Sequence, residues 1–286
     1  MLTLLFDGIA YGMLLFVLAV GLAVTLGLMN FVNLAHGAFA MAGGYVTVLL
    51  MNRLGVPFLA TLPAAFVLTA LAGALLERTL YRPMYAKPHL DQVLFSIGLV
   101  FMAVTAVDWA IGSQQMMIQV PAWLHGRFDL AAVGIGKYRL FVIVLCGLLA
   151  IALQAVLTRT RFGSRLRAAV DDPRVAQGLG IDTGRVFLLT FAVGSGLAGL
   201  GGALGAEVVG LDPAFPLKFM VYFLIVVSVG GTTTITGPLL AALLLGIADV
   251  FGKYYVPKLG AFIVYTLMIV ILTLRPQGLF GRGATR

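Results

Sequence analysis

Two amides and an imidazole stand together in Asn30-Phe31-Val32-Asn33-Leu34-Ala35-His36-Gly37, between two apolar runs. Polar groups among apolar helices are costly and usually face a bundle interior or a pathway. Asn30, Asn33 and His36 therefore read in two ways: a hydrogen-bonded helix break at the membrane edge, or direct contact with a solute moving through the bundle. Metal ligation by His36 is disfavoured, because His89 and His125 fall in other loops and no Cys or carboxylate cluster joins them. Ser96, Ser228, Thr232, Thr234, Asp108, Glu207 and Asp249 are further polar groups in or beside apolar runs. Ser96, Thr232 and Thr234 join the pathway candidates. Asp108 and Glu207 lie near span ends, where water reaches them, and Asp249 lies near the outer end of its run. No ladder of carboxylates suggests proton relay.

Catalytic constellations are missing. The sequence has no GxxxxGK[ST] phosphate loop, no HExxH and no nucleophilic triad. Gly134-Ile135-Gly136-Lys137-Tyr138 has neither the spacing nor the hydroxyl of a phosphate loop. No catalytic residue, metal site or cofactor is expected in this chain. If ATP drives its work, another chain binds the ATP.

The segment 158–185 carries six arginines and two short helix signals. Ser164 is the expected cap of the first. Asp172 before Pro173 starts the second, because proline suits the first helical position. Gly178 or Gly180 ends it. One reading is a basic loop resting on anionic lipid; the other is a docking element for a cytoplasmic partner. Further on, Gly194, Ala198, Gly202 and Ala206 recur every four residues. Such a small-residue ridge lets helix backbones approach closely, either within the chain or against a second chain.

These features must be positioned by membrane helices. Of 286 residues, 61% are hydrophobic and 10% charged, and the mean hydropathy is +1.05. A soluble domain has about 45–50% apolar and about 25% charged residues, so an ordinary soluble enzyme and a disordered chain are both excluded. The net charge of +8 is read as topology-setting Lys and Arg in cytoplasmic loops, not as a nucleic-acid surface. The single cysteine, Cys146, sits in an apolar run and is expected to pack as a small hydrophobe.

Apolar runs fall at about 8–29, 34–51, 57–76, 91–111, 139–157, 186–206, 219–231, 236–251 and 259–274. A span needs roughly 20 residues. The expected fold is an all-α polytopic bundle of eight or nine transmembrane helices, forming a single domain over 1–286. The short runs on either side of 230–238 are a true turn or a broken, re-entrant pair. Placing 77–90, 158–185 and the tail inside puts 12 of the 19 basic residues in the cytoplasm. Parity then sets the N-terminus outside and the C-terminus inside. The first basic residue is Arg53, so the first run is expected to be a retained helix and not a secretory signal.

Four segments in register resemble the LivH-type permease subunits of branched-chain amino acid ABC importers. They are Gly21-Leu22 through Asn30-Phe31-Val32-Asn33-Leu34-Ala35-His36-Gly37 to Gly43-Gly44-Tyr45, Glu77-Arg78 to Tyr81-Arg82-Pro83-Met84, Thr160-Arg161-Phe162-Gly163 to Gly180-Ile181, and Leu274-Arg275-Pro276-Gln277-Gly278-Leu279-Phe280-Gly281. The resemblance implies a permease in the bacterial inner membrane, working with a second, LivM-like permease. It also implies two cytoplasmic ATPases that bind ATP and a periplasmic substrate-binding protein. Segment 164–180 then matches the coupling helix, with Arg165, Arg167, Asp172, Arg174 and Gly180 facing the ATPase. The solute is a branched-chain amino acid or another small polar molecule such as urea or an amide. A self-sufficient secondary transporter or channel is the competing reading.

Overall fold

A computed structural model describes residues 1–29, 31–130, 133–231, 234–275 and 278–279. Asn30 and Thr232 lie outside the described residues. Long apolar sequence becomes helix because a spanning segment must satisfy its own backbone. In chain order the helices are α1 (Leu2–Met29), α2 (His36–Leu54), α3 (Phe58–Leu76), α4 (His89–Ile111) and α5 (Lys137–Arg159). Two short helices follow, α6 (Arg161–Asp171) and α7 (Pro173–Gly178). Then come α8 (Thr183–Val208), α9 (Phe215–Gly230), α10 (Thr236–Tyr255) and α11 (Gly260–Leu274). Each of the nine expected apolar runs is a helix.

Among the described residues, six helical segments are long and apolar enough to cross a membrane: Leu2–Leu26, Phe58–Met84, His89–Ile111, Lys137–Arg159, Thr183–Val208 and Thr236–Tyr255. The 16 residues of α9 extend about 24 Å, short of a hydrocarbon core of about 30 Å. A non-helical stretch that includes Gly231, with φ of 80°, separates α9 from α10. The shortness of the 219–231 run thus reflects a helix that stops early. Outside the bundle, the segment after α4 carries an antiparallel hairpin, β1 (Arg127–Leu130) with β2 (Val133–Gly136).

Two helices form the centre. In its most apolar stretch α1 is 83% buried and α8 72%, against 11% for α4 and 17% for α5. Helix α8 packs on α1, α2 and α3, and α1 packs on α10. Peripheral α4 and α5 present Leu94, Phe101, Met102, Leu148 and Ile151 outward, as lipid-facing surfaces do.

Glycines set how closely the central helices meet. The expected ridge is buried inside the chain: Gly194 faces Gly21 of α1, and a Cβ on Gly202 would overlap the carbonyl of Ala40 in α2. Ala198 and Ala206 are buried with them. At Gly194 and Gly202 the ridge meets this chain's own α1 and α2. Other faces of α8 are equally tight. Gly199 meets Thr69 and Gly43, and Gly196 meets Phe66. A second contact joins α1 to α10, where a Cβ on Gly8 would stand 2.8 Å from the Ile247 Cα and Gly246 abuts Gly12. Without a hydrophobic drive between helices in lipid, such close backbone packing supplies much of their association.

Candidate functional site

The link between α1 and α2 runs back into the bundle. His36 is 2% exposed, and its Nε2 lies 2.8 Å from the Leu18 carbonyl oxygen. Leu18 precedes the end of α1 by eleven residues, about 16 Å along a helix. Residues 31–35 are therefore non-helical backbone at depth, which is tolerated only where protein satisfies it. Side chains do so here. Gln92 Oε1 accepts from the Val32 N–H at 3.3 Å, and Asn33 Oδ1 accepts from the Ala35 N–H at 3.1 Å. Tyr81 donates its hydroxyl to the same Asn33 oxygen at 3.2 Å. Around this knot Tyr81 meets Phe31, Phe95 and Phe191, with centroids 5.5, 5.3 and 4.6 Å away.

Asn33 and His36 thus sit within one buried region, where Asn33 Oδ1 and His36 Nε2 each hydrogen-bond to the chain itself. Ser96 is fully buried, and its hydroxyl donates to the Val93 carbonyl one turn back. Thr234 lies apart from them. It is exposed, and its hydroxyl accepts from the Gly237 N–H at the start of α10. The structure brings Asn33 and His36 into one buried region; Ser96 lies on α4 one turn from Gln92 and beside Phe95 but bonds only to its own helix, and Thr234 precedes α10. Gln92 and Tyr81 belong to the knot and were missed, since a lone glutamine at a helix start carries no periodic signal. We expect His36→Ala to lower stability by about 2–3 kcal/mol, through lost packing and one lost hydrogen bond. The profile of competing solutes should not change. Thermal melting and competition uptake on the same preparation check both halves.

The α6–α7 element is better ordered than a connector. Thr160 caps α6, with Oγ1 accepting from the Gly163 N–H at 3.3 Å. This corrects the expectation for Ser164, which lies inside the helix and donates to the Arg161 carbonyl. Thr160 has the extended backbone of a cap, φ −110° and ψ 159°, so the helix starts one turn earlier. Asp172 caps α7 as expected, its Oδ1 accepting from the Arg174 and Val175 N–H groups at 2.9 and 3.1 Å. Helix α7 ends in a Schellman turn. Gly180, at φ of 81°, donates to the Gln177 carbonyl at 2.9 Å, and Ile181 donates to Ala176 at 3.0 Å.

The inner side of this element is apolar. Leu166 and Ala169 of α6 are buried against Val186 of α8, with Phe162 and Leu157 beside them. The Arg167 guanidinium donates to the Leu157 carbonyl near the end of α5. Arg167, Asp172 and Gly180 therefore build the element, while Arg165 and Arg174 stand exposed on it. Beside them Val175 and Leu179 are 59% and 75% exposed. The sequence reading passed over these two, because single apolar residues in a basic loop show no pattern.

A second strut reaches the same place. After α3 the chain makes one π-helical turn, Glu77–Tyr81. The Glu77 side chain is fully buried and lies 3.5 Å from Arg82, while the Tyr85 hydroxyl donates to it at 3.2 Å. Burial and then the Glu77 carboxylate push the Tyr85 hydroxyl well above its usual pKa, so it stays a donor. Arg82 also donates to the Gly184 carbonyl at the start of α8, at 3.3 Å. Movement of α7 and the α8 start would thus pull on the segment joining α3 to α4.

The chain is 27% identical over 293 residues to the high-affinity branched-chain amino acid transport system permease protein BraD of Pseudomonas aeruginosa, covering 97% of this chain and 95% of BraD. It is 26% identical to the permease protein LivH of Escherichia coli K12, over 97% of this chain and 94% of LivH. LivM of the same organism, another permease protein of that transport system, is 27% identical over 93% of this chain and 68% of LivM. No solved structure matches the chain. The family model described as branched-chain amino acid transport system / permease component matches residues 4–272, and this multi-pass membrane protein belongs to that family.

Proposed function

We propose that this chain is one of two permease subunits of an ATP-driven importer for branched-chain amino acids or a related small polar solute. It has no ATPase site or cofactor of its own. Two cytoplasmic ATPase chains bind the ATP, a LivM-like chain completes the permease pair, and a periplasmic binding protein delivers the solute. The chain sits in the inner (plasma) membrane with its N-terminus outside and its C-terminus in the cytoplasm. The observation that carries this reading is the α6–α7 element. It is capped at both helix starts, buried on one side and apolar on the exposed side at Val175 and Leu179. A rigid knob with apolar anchors and a cationic rim fits a groove on a folded partner better than it fits a lipid surface.

In this reading Arg165 and Arg174 contact the ATPase directly, and Arg167, Asp172 and Gly180 hold the knob in shape. Asn33, His36 and Ser96 position the helices that line the pathway. ATP binding shifts the population between inward- and outward-facing bundles, because the ATPase pair binds the two states with different affinity. The test is uptake of labelled leucine into liposomes carrying the chain and its co-encoded partners. Uptake that requires internal ATP and the binding protein supports the proposal. Uptake by the chain alone, driven by an ion gradient, overturns it.

A further inference from the structure

At the end of the bundle opposite α6 and α7 lies a cavity of about 450 Å³, within the range of roughly 300–1,000 Å³ common for small-molecule pockets. The starts of α1, α5 and α9 and the ends of α8 and α10 enclose it. Its charges come in acid–base pairs: Asp7 with Arg139 and Asp249 with Lys253, the second at 2.6 Å. Tyr222 donates its hydroxyl to Asp249 at 3.3 Å. Lys218 reaches the cavity from a third pair, with Asp212. In every pair the acid is the more buried partner. The Asp249 side chain is 2% exposed against 55% for Lys253, and Asp7 20% against 44% for Arg139. Acids therefore form the wall and cations the mouth. Ala10, Phe219 and Val250 supply apolar surface between them.

Nothing in the docking knob or the Asn33–His36 knot uses these groups. We propose that this cavity is an outer binding site for a zwitterionic amino acid with an aliphatic side chain. The α-carboxylate exchanges onto Arg139 and Lys253, the α-ammonium onto Asp7 and Asp249, and the aliphatic part rests on Phe219 and Val250. A zwitterion brings one charge of each sign, so every charged wall group keeps an opposite partner when it enters. A bare amine or a bare carboxylate would displace one partner and strand the other, and stranding a buried charge is costly. Selectivity for the intact head group follows. The proposal rests on the amino-acid reading of the importer and adds where the solute first meets this subunit.

The experiment uses the assembled importer in liposomes without its binding protein, with saturation-transfer NMR on three probes. These are leucine, its amine analogue isoamylamine and its acid analogue 4-methylpentanoate. Leucine should receive the strongest transfer, on its methyl groups. Arg139→Gln and Asp249→Asn should each weaken leucine binding by about tenfold or more, the scale of a charge-assisted hydrogen bond. Val208→Trp, a change at a cavity-lining position 37% exposed, should weaken it without removing any charge and guards against a folding artefact. Equal transfer to all three probes overturns the proposal, as does leucine binding unchanged in all three variants while the wild-type importer, supplied with its binding protein and ATP, still takes up leucine. If the wild-type importer, supplied with its binding protein and ATP, takes up no leucine, the functional reading itself fails and the site falls with it.

Discussion

Gly202→Val is expected to leave almost no folded permease in the membrane. Gly202 lies on α8, the helix around which α1, α2 and α3 pack. A side chain there meets the Ala40 carbonyl and main chain, not a flexible side chain. Backbone cannot rotate out of the way, so α2 and α8 must separate along their length. Overpacking commonly costs about 1–3 kcal/mol, and a rigid backbone obstacle should put this variant above that range. Folded proteins hold only about 5–15 kcal/mol in all. Gly205→Ala is the control on the same helix, since its Cβ would find nothing nearer than 3.6 Å. Size-exclusion chromatography of tagged variants in mild detergent should show a monodisperse peak for Gly205→Ala and aggregate for Gly202→Val.

Leu179→Asp, combined with Val175→Asp, should abolish uptake while leaving the permease folded. Both side chains are exposed, so neither substitution opens a cavity in this chain. If they are anchors in an ATPase groove, each change buries an unpaired carboxylate at the interface, and anchor losses there typically cost about 2 kcal/mol or more. The pair should lower ATPase association by over about a hundredfold. Gly180→Trp is a less clean probe of the same contact. Its φ of 81° opposes any larger residue, so the end of α7 would unravel first. Co-elution of the ATPase chains with tagged permease reads the effect, and an unchanged melting profile separates docking from folding. Normal uptake in the double variant would remove α7 from the coupling account.

Most of the helix layout was legible because apolar runs near 20 residues have few alternatives in a bilayer. Asp172-Pro173 also announced α7 correctly, since the cap and the proline act within one turn. What escaped was non-local. Glu77, Tyr85 and Arg82 join the α8 start across about a hundred residues of sequence through the Gly184 carbonyl. Gln92 supports the Val32 backbone 60 residues away. Neither has a spacing that a linear reading detects. Asp249 was placed near the outer end of its run, yet its near-complete burial with Tyr222 and Lys253 depends on how α9 lies against α10. The small-residue ridge was seen on one face of α8, while glycines on the others went unread because residues 194–206 are buried on every side.

Under the proposed function, separate ATPase chains docked on α6 and α7 drive this permease. The most direct test is purification of the tagged chain from its native membrane in mild detergent, with crosslinking before solubilisation and mass spectrometry of all retained proteins. The account predicts one LivM-like chain and two ATPase chains per permease, with crosslinks from Arg165 and Arg174 positions into the ATPase. Recovery of this chain alone, uncrosslinked to any ATPase yet transporting solute down an ion gradient in liposomes, would contradict it.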